Sequence, residues 1–151
     1  MPLPFWNEPT DMPCFEPPYG QIGVIDLNQN KLLWKRSFGS MKESGPFGIK
    51  SGLPFMVGTA SFAGSMTTRG GLIFHGGAMD STLRAFDLRT GAVKWESSLP
   101  GNAQATPMSY LGKNGKQYVV ITVPNLTWSY PRMPSSQQPT DDLGGYVIAF
   151  A

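Results

Sequence analysis

The sequence is short of the residues on which several kinds of protein depend. One cysteine, Cys14, in 151 residues closes no disulfide within the chain and offers no thiolate cluster to a metal. It is either a buried thiol or the partner of a cysteine in another segment. His75 is the only histidine, and in the stretch "LIFHGG" a period of two puts it on the face opposite Phe74. A lone histidine with no cysteine beside it is read as structural rather than as a metal ligand or part of a triad. Charge is sparse as well: 12 basic against 10 acidic residues leave +2, too evenly scattered for the footprint of a nucleic-acid binder. No apolar run reaches the roughly 18 residues of a spanning helix. The opening "MPLPFWNEPT" has neither a basic start nor an apolar region, so this stretch is expected neither to cross a membrane nor to direct export.

What the chain has is punctuation. Eighteen glycines and 14 prolines break a sequence that is 40% hydrophobic into short β-branched and aromatic stretches, and no helix periodicity stands out. The glycine pairs at 70–71 and 76–77 are turn residues, since no helix follows to present its N-terminus to a phosphate. From "GSMTTRG" through "LIFHGG" and "TLRAFDL" to "AVKWESSL" runs a set of four antiparallel strands, with a tight turn at "RTG" where Gly91 takes positive φ. That is the size of one β-propeller blade. "IGVIDLNQNKLLW" at 22–34 repeats "LRAFDLRTGAVKW" at 83–95, aligning Asp26 with Asp87 and Trp34 with Trp95, and so supplies the third and fourth strands of a preceding blade. "QATPMSYLGKNGKQYVVITV", with a turn at Asn114 and Gly115, and "GGYVIAFA" supply three strands of a following one. The expected fold is all-β, a partial propeller of about two and a quarter blades and roughly nine strands, with blade boundaries near residues 40 and 103. Because about four blades are needed to close a circle, 1–151 is expected to be the C-terminal part of a larger propeller, or an open piece that covers its edges by self-association. Trp34 and Trp95 are assigned to docking between blades, each ring wedged against the neighbouring sheet with its indole N–H on a backbone acceptor.

The repeats "AFDLRTGAVKW" and "VIDLNQNKLLW" resemble the tryptophan-docking motif of the quinoprotein dehydrogenases. Four further stretches, "PCFEPPYGQIGVIDL", "GPFGIKSGLPFMVGT", "GGLIFHGGAMDSTLRAFDLRTG" and "QATPMSYLGKNGKQYVVIT", are similar in order to the C-terminal end of the membrane-bound glucose/quinate/shikimate dehydrogenases that use pyrroloquinoline quinone (PQQ). The resemblance implies an eight-bladed propeller on the periplasmic face of the inner membrane, preceded by a membrane anchor, with PQQ on the axis beside a divalent cation, Mg²⁺ or Ca²⁺. Its chemistry is the oxidation of an alcohol carbon by the ortho-quinone, with electrons passed to ubiquinone. The family's base, its cofactor-contacting lysine and its cation ligands fall in earlier blades, so no catalytic or metal-binding residue is assigned in this sequence and the chain alone is expected not to turn over.

Within that resemblance Asp80, in "GGAMDSTLRA", matches an aspartate near the cofactor; the competing reading is an aspartate capping its own turn. "VPNLTWSYP" occupies the loop where the glucose-oxidising members carry Gly-Gly-His-Gly. The missing histidine turns the expectation from glucose to cyclic polyol acids such as quinate or shikimate. Asn125 and Trp128 are the cofactor-side candidates of that loop, and Arg132 the candidate for a substrate carboxylate; the plain alternatives are packing for Trp128 and a solvated surface for Arg132. Glucose or another polyol is the second substrate reading. A non-catalytic propeller that presents loops to protein partners, as in outer-membrane assembly lipoproteins, is the alternative from another class.

Overall fold

A computed structural model describes residues 6–7, 12–43, 45–124 and 144–151. Among these residues there are eleven strands, two 3-10 turns (Met41–Glu43 and Pro46–Gly48) and no α-helix. A two-stranded pairing of β1 (Trp6–Asn7) with β2 (Met12–Pro13) comes first, an element that nothing in the sequence pattern announces. Then come three antiparallel sheets in chain order. The first pairs β3 (Gln21–Asp26) with β4 (Lys31–Ser37); the second runs β5 (Met66–Thr67), β6 (Leu72–His75), β7 (Thr82–Asp87), β8 (Val93–Ser98) in that spatial order. The third is ordered β11 (Tyr146–Phe150), β10 (Gln117–Val123), β9 (Met108–Leu111). The middle sheet is the complete four-stranded meander expected of a blade, flanked by the partial ones.

The repeated sequence repeats its local chemistry. Asp87 closes the hairpin between β7 and β8 by accepting the N–H groups of Arg89 and Thr90 at 3.0 and 2.9 Å; Asp26 does the same for Asn28 and Gln29 at 2.8 and 3.2 Å. The left-handed residue that both turns need is Gly91 (φ 71°) in one and Asn30 (φ 50°) in the other, the two residue types that adopt this conformation most cheaply. The Thr90 N–H, chiefly, holds the Asp87 carboxyl below the usual carboxylate range.

Two small cores lie between the sheets. Phe38, Ile73, Ala78 and Phe86 are buried between the first and second, with Ile22, Val24 and Trp34 packed on them. Leu83, Leu99, Ala103, Ile121 and Val123 fill the gap between the second and third, backed by Val119, Ile148 and Phe150. Alternation along β7 sends Leu83 to one core and Phe86 to the other, which is why the middle sheet is buried on both faces. The outward faces at the two ends of the row also carry large apolar side chains: Ile25 and Leu32 on the first sheet, and Met108, Tyr110 and Val147 on the third.

The tryptophans mark the joints. The Trp34 indole N–H donates to the Leu88 carbonyl at 2.9 Å, its ring lies 6.4 Å from that of Phe86, and Gly91 leaves the space that the indole occupies. Trp95 meets Phe150 edge-on at 5.1 Å between the next two sheets, and Phe150 aligns with Phe86 when "YVIAF" is laid on "TLRAF".

Candidate functional site

The loop 76–81 between β6 and β7 bonds the segment after β4 on one side and the segment after β8 on the other, and Asp80 is its centre. Its carboxylate is completely buried. Arg84, at the start of β7, grips it in bidentate fashion, Nη1 to Oδ1 at 3.0 Å and Nη2 to Oδ2 at 2.6 Å. From the connection after β4 Ser40 adds its N–H at 2.8 Å and its hydroxyl at 3.0 Å, both to Oδ2. Neither partner is a backbone group of the turn itself, so the carboxylate ties the start of β7 to the connection after β4 instead of closing its own loop. On the other side, Ser81, at φ 49°, donates through its N–H and hydroxyl to the Asn102 side chain at 3.1 and 2.9 Å, and its carbonyl accepts the Leu99 N–H at 2.7 Å. A second layer follows: Thr82 donates to the Asp80 carbonyl and accepts from the Lys42 ammonium, both at 2.8 Å.

His75 sits beside this knot, paired in register with Arg84 across β6 and β7. Its Nε2 and Nδ1 are bonded to the Ser61 and Ser65 hydroxyls at 2.7 and 2.9 Å, and its ring meets Phe38 edge-on at 4.5 Å. Burial pushes the imidazole below its ordinary pKa, opposed in part by a hydrogen bond with the Gly64 backbone. A neutral histidine bonded on both ring nitrogens staples the segment leading into β5 onto the sheet.

Asp80 is fully buried, with one bond on Oδ1 and three on Oδ2, all from Arg84 and Ser40. Among the described residues no three His, Cys, Asp or Glu side chains gather to hold a metal ion. Cys14 is exposed and unpaired within this chain. Asn125, Trp128 and Arg132 lie outside the described residues. Sequence reasoning singled out Asp80 but missed Arg84, Ser40 and Asn102. One signal was available: Arg84 falls among the inward positions of an apolar strand, where a charge needs a buried partner.

A profile described as "PQQ: Glucose/ethanol/alcohol dehydrogenase, beta-propeller domain" matches residues 1–119. The chain belongs to this family of PQQ-dependent dehydrogenases. Among its curated relatives, the glycerol dehydrogenase large subunit of Gluconobacter thailandicus is 48% identical over 119 residues, 78% of this chain and 16% of that protein. The probable quinate dehydrogenase (quinone) of Xanthomonas campestris pv. juglandis is 40% identical over 141 residues, 93% of this chain and 16% of that protein. The quinoprotein glucose dehydrogenase of Escherichia coli is 39% identical over 114 residues, 76% of this chain and 14% of that protein. Among solved structures a europium-containing methanol dehydrogenase superposes on 68% of the chain and 14% of its own, with a TM-score of 0.47 and 27% identity. The chain thus spans about a sixth of the length of the curated relatives that it matches. PQQ-dependent dehydrogenases use PQQ and a metal ion. The described residues of this member supply no donor set for that metal, and the one buried carboxylate is committed to Arg84 and Ser40.

Proposed function

We propose that this chain is the C-terminal segment of a PQQ-dependent, quinone-linked dehydrogenase that oxidises a ring hydroxyl of quinate- or shikimate-type cyclic polyol acids, with ubiquinone as the acceptor. The observation that carries the reading is the pair of inter-sheet contacts, the Trp34 indole on the Leu88 carbonyl and the Trp95 ring on Phe150, within a chain of this family, which supports stacked propeller blades. When bound, PQQ supplies the two-electron chemistry at an alcohol carbon. This chain's own residues contribute a rigid wall. Asp80, Arg84, Ser40 and Asn102 fix the 76–81 loop, and the role proposed for Asp80 toward the cofactor is to hold that loop rather than to touch the reacting atoms. Asn125 and Trp128 remain proposed for the cofactor side and Arg132 for the substrate carboxylate. The cation, a membrane anchor and a periplasmic site are proposed for the rest of the polypeptide.

Two observations support the quinate branch: the loop at 123–131 lacks the histidine expected of glucose-oxidising members, and the quinate relative matches 93% of the chain. A second reading, an open-chain polyol substrate, is favoured by the 48% identity to the glycerol dehydrogenase subunit. The whole reading frame containing this chain, expressed and reconstituted with PQQ and Mg²⁺ or Ca²⁺, should reduce a quinone-type dye with quinate. Faster reduction with glycerol or glucose would reassign the substrate, and a full frame carrying only docking repeats, with no dye reduction, would favour a scaffold.

A further inference from the structure

We propose that the cleft between β4 and β8 is a binding site for a small organic monocarboxylate. The cleft, about 490 Å³, is lined by residues of β7 and β8, the latter on the opposite edge of the middle sheet from β5, and its size suits a small molecule. Arg84 and Thr82 line it, Arg36 comes from β4, Lys42 from the first 3-10 turn, and Pro54 and Met56 from the segment that follows.

Its electrostatics are unbalanced. Arg84 is neutralised by the buried Asp80, and its Nε lies 3.4 Å from Glu96, whose side chain is mostly exposed. Arg36 and Lys42 have no carboxylate within ion-pair distance among the described residues. Arg36 spends one Nη1 proton on the Gly91 carbonyl, and its guanidinium lies over the Phe86 ring, while Lys42 spends one proton on Thr82. The remaining donors of both groups are available to an anion, in a half-buried position where charge-assisted bonds are stronger than at an open surface. Two free cations against the single carboxylate of Glu96 suit one negative charge better than two. Pro54, Met56 and Val93 give the cleft apolar walls, which favours an organic body over a bare ion.

The test is calorimetric titration of the full chain with benzoate, inorganic phosphate and benzyl alcohol, with amide shifts followed by NMR at Lys42, Thr82 and Ser98. Benzoate should saturate, perturb those amides and bind at least about tenfold tighter than neutral benzyl alcohol, since the difference is a charge-assisted contact. Added NaCl should weaken it. Lys42→Gln and Arg36→Gln should each cost about tenfold. Arg36→Lys, which keeps the charge, should recover part of the loss. Lys42 lies in the first 3-10 turn, outside both cores, so its variant decides the matter if Arg36→Gln loosens the fold. Benzoate binding no tighter than benzyl alcohol, or unaffected by Lys42→Gln, would overturn the site. Phosphate binding tighter than benzoate would overturn the carboxylate assignment.

Discussion

Gly91→Ala is the sharpest probe of how the sheets are joined. An ideal Cβ at this position would lie 2.6 Å from Cδ2 and 2.7 Å from Cε3 of Trp34, so the indole must move. Moving it breaks the Trp34–Leu88 hydrogen bond, about 1 kcal/mol, and re-exposes part of a ring that packs on Phe86, about 1 kcal/mol more. The left-handed backbone adds about 1 kcal/mol for any residue with a Cβ. The sum is about 3 kcal/mol. Gly115→Ala is the matched control: φ is 76° and nothing lies within 4 Å of its Cβ, so it should cost only the backbone part, about 1 kcal/mol. Urea melts followed by tryptophan fluorescence measure both. Equal losses at the two glycines would refute the argument that Trp34 fills the space at Gly91.

The buried ion pair gives a second prediction: Arg84→Met strands Asp80 and should cost about 3 to 5 kcal/mol, whereas the double change Asp80→Leu, Arg84→Met should recover much of it in the same melts. His75 is held neutral by burial, so the unfolded chain takes up a proton at a higher pH than the folded one; stability should be intact above about pH 6.5 and decline below it, and His75→Asn should flatten that slope. Asp87 has the depressed pKa of a bonded carboxylate, so its contribution is present above the ordinary carboxylate range and lost as pH falls through the lowered value. Asp87→Asn should reduce the acid sensitivity of the thermal midpoint.

The middle sheet was legible because its signals are local. Alternation, "RTG" and the Asp-to-Trp spacing each act within one hairpin, and β5 to β8 form in that order. The joints were legible because the motif occurs twice, so Trp34 and Trp95 could be laid on one another before either contact was known. The knot at Asp80 was not. Ser40 is 40 positions away, after β4, and Asn102 lies beyond the end of β8, so their convergence depends on the stacking of the first two sheets and on an irregular connection, which no pattern within one segment encodes. The pairing of Asp80 with Arg84 is a further case: four residues apart suggests a helix face, yet the ion pair forms at the entry to a strand. The serines on His75 were hidden for the same reason, since Ser61 and Ser65 lie in an irregular segment with no period to read.

The first two sheets dock through the Trp34 indole, which is seated on the hairpin between β7 and β8. An NMR measurement of cross-relaxation from the Trp34 indole N–H tests it most directly. Strong transfer to the Gly91 α-protons and to Leu88 is expected from a 2.9 Å bond to the Leu88 carbonyl. An indole proton that exchanges freely with water and shows no transfer to residues 88–91 would contradict it.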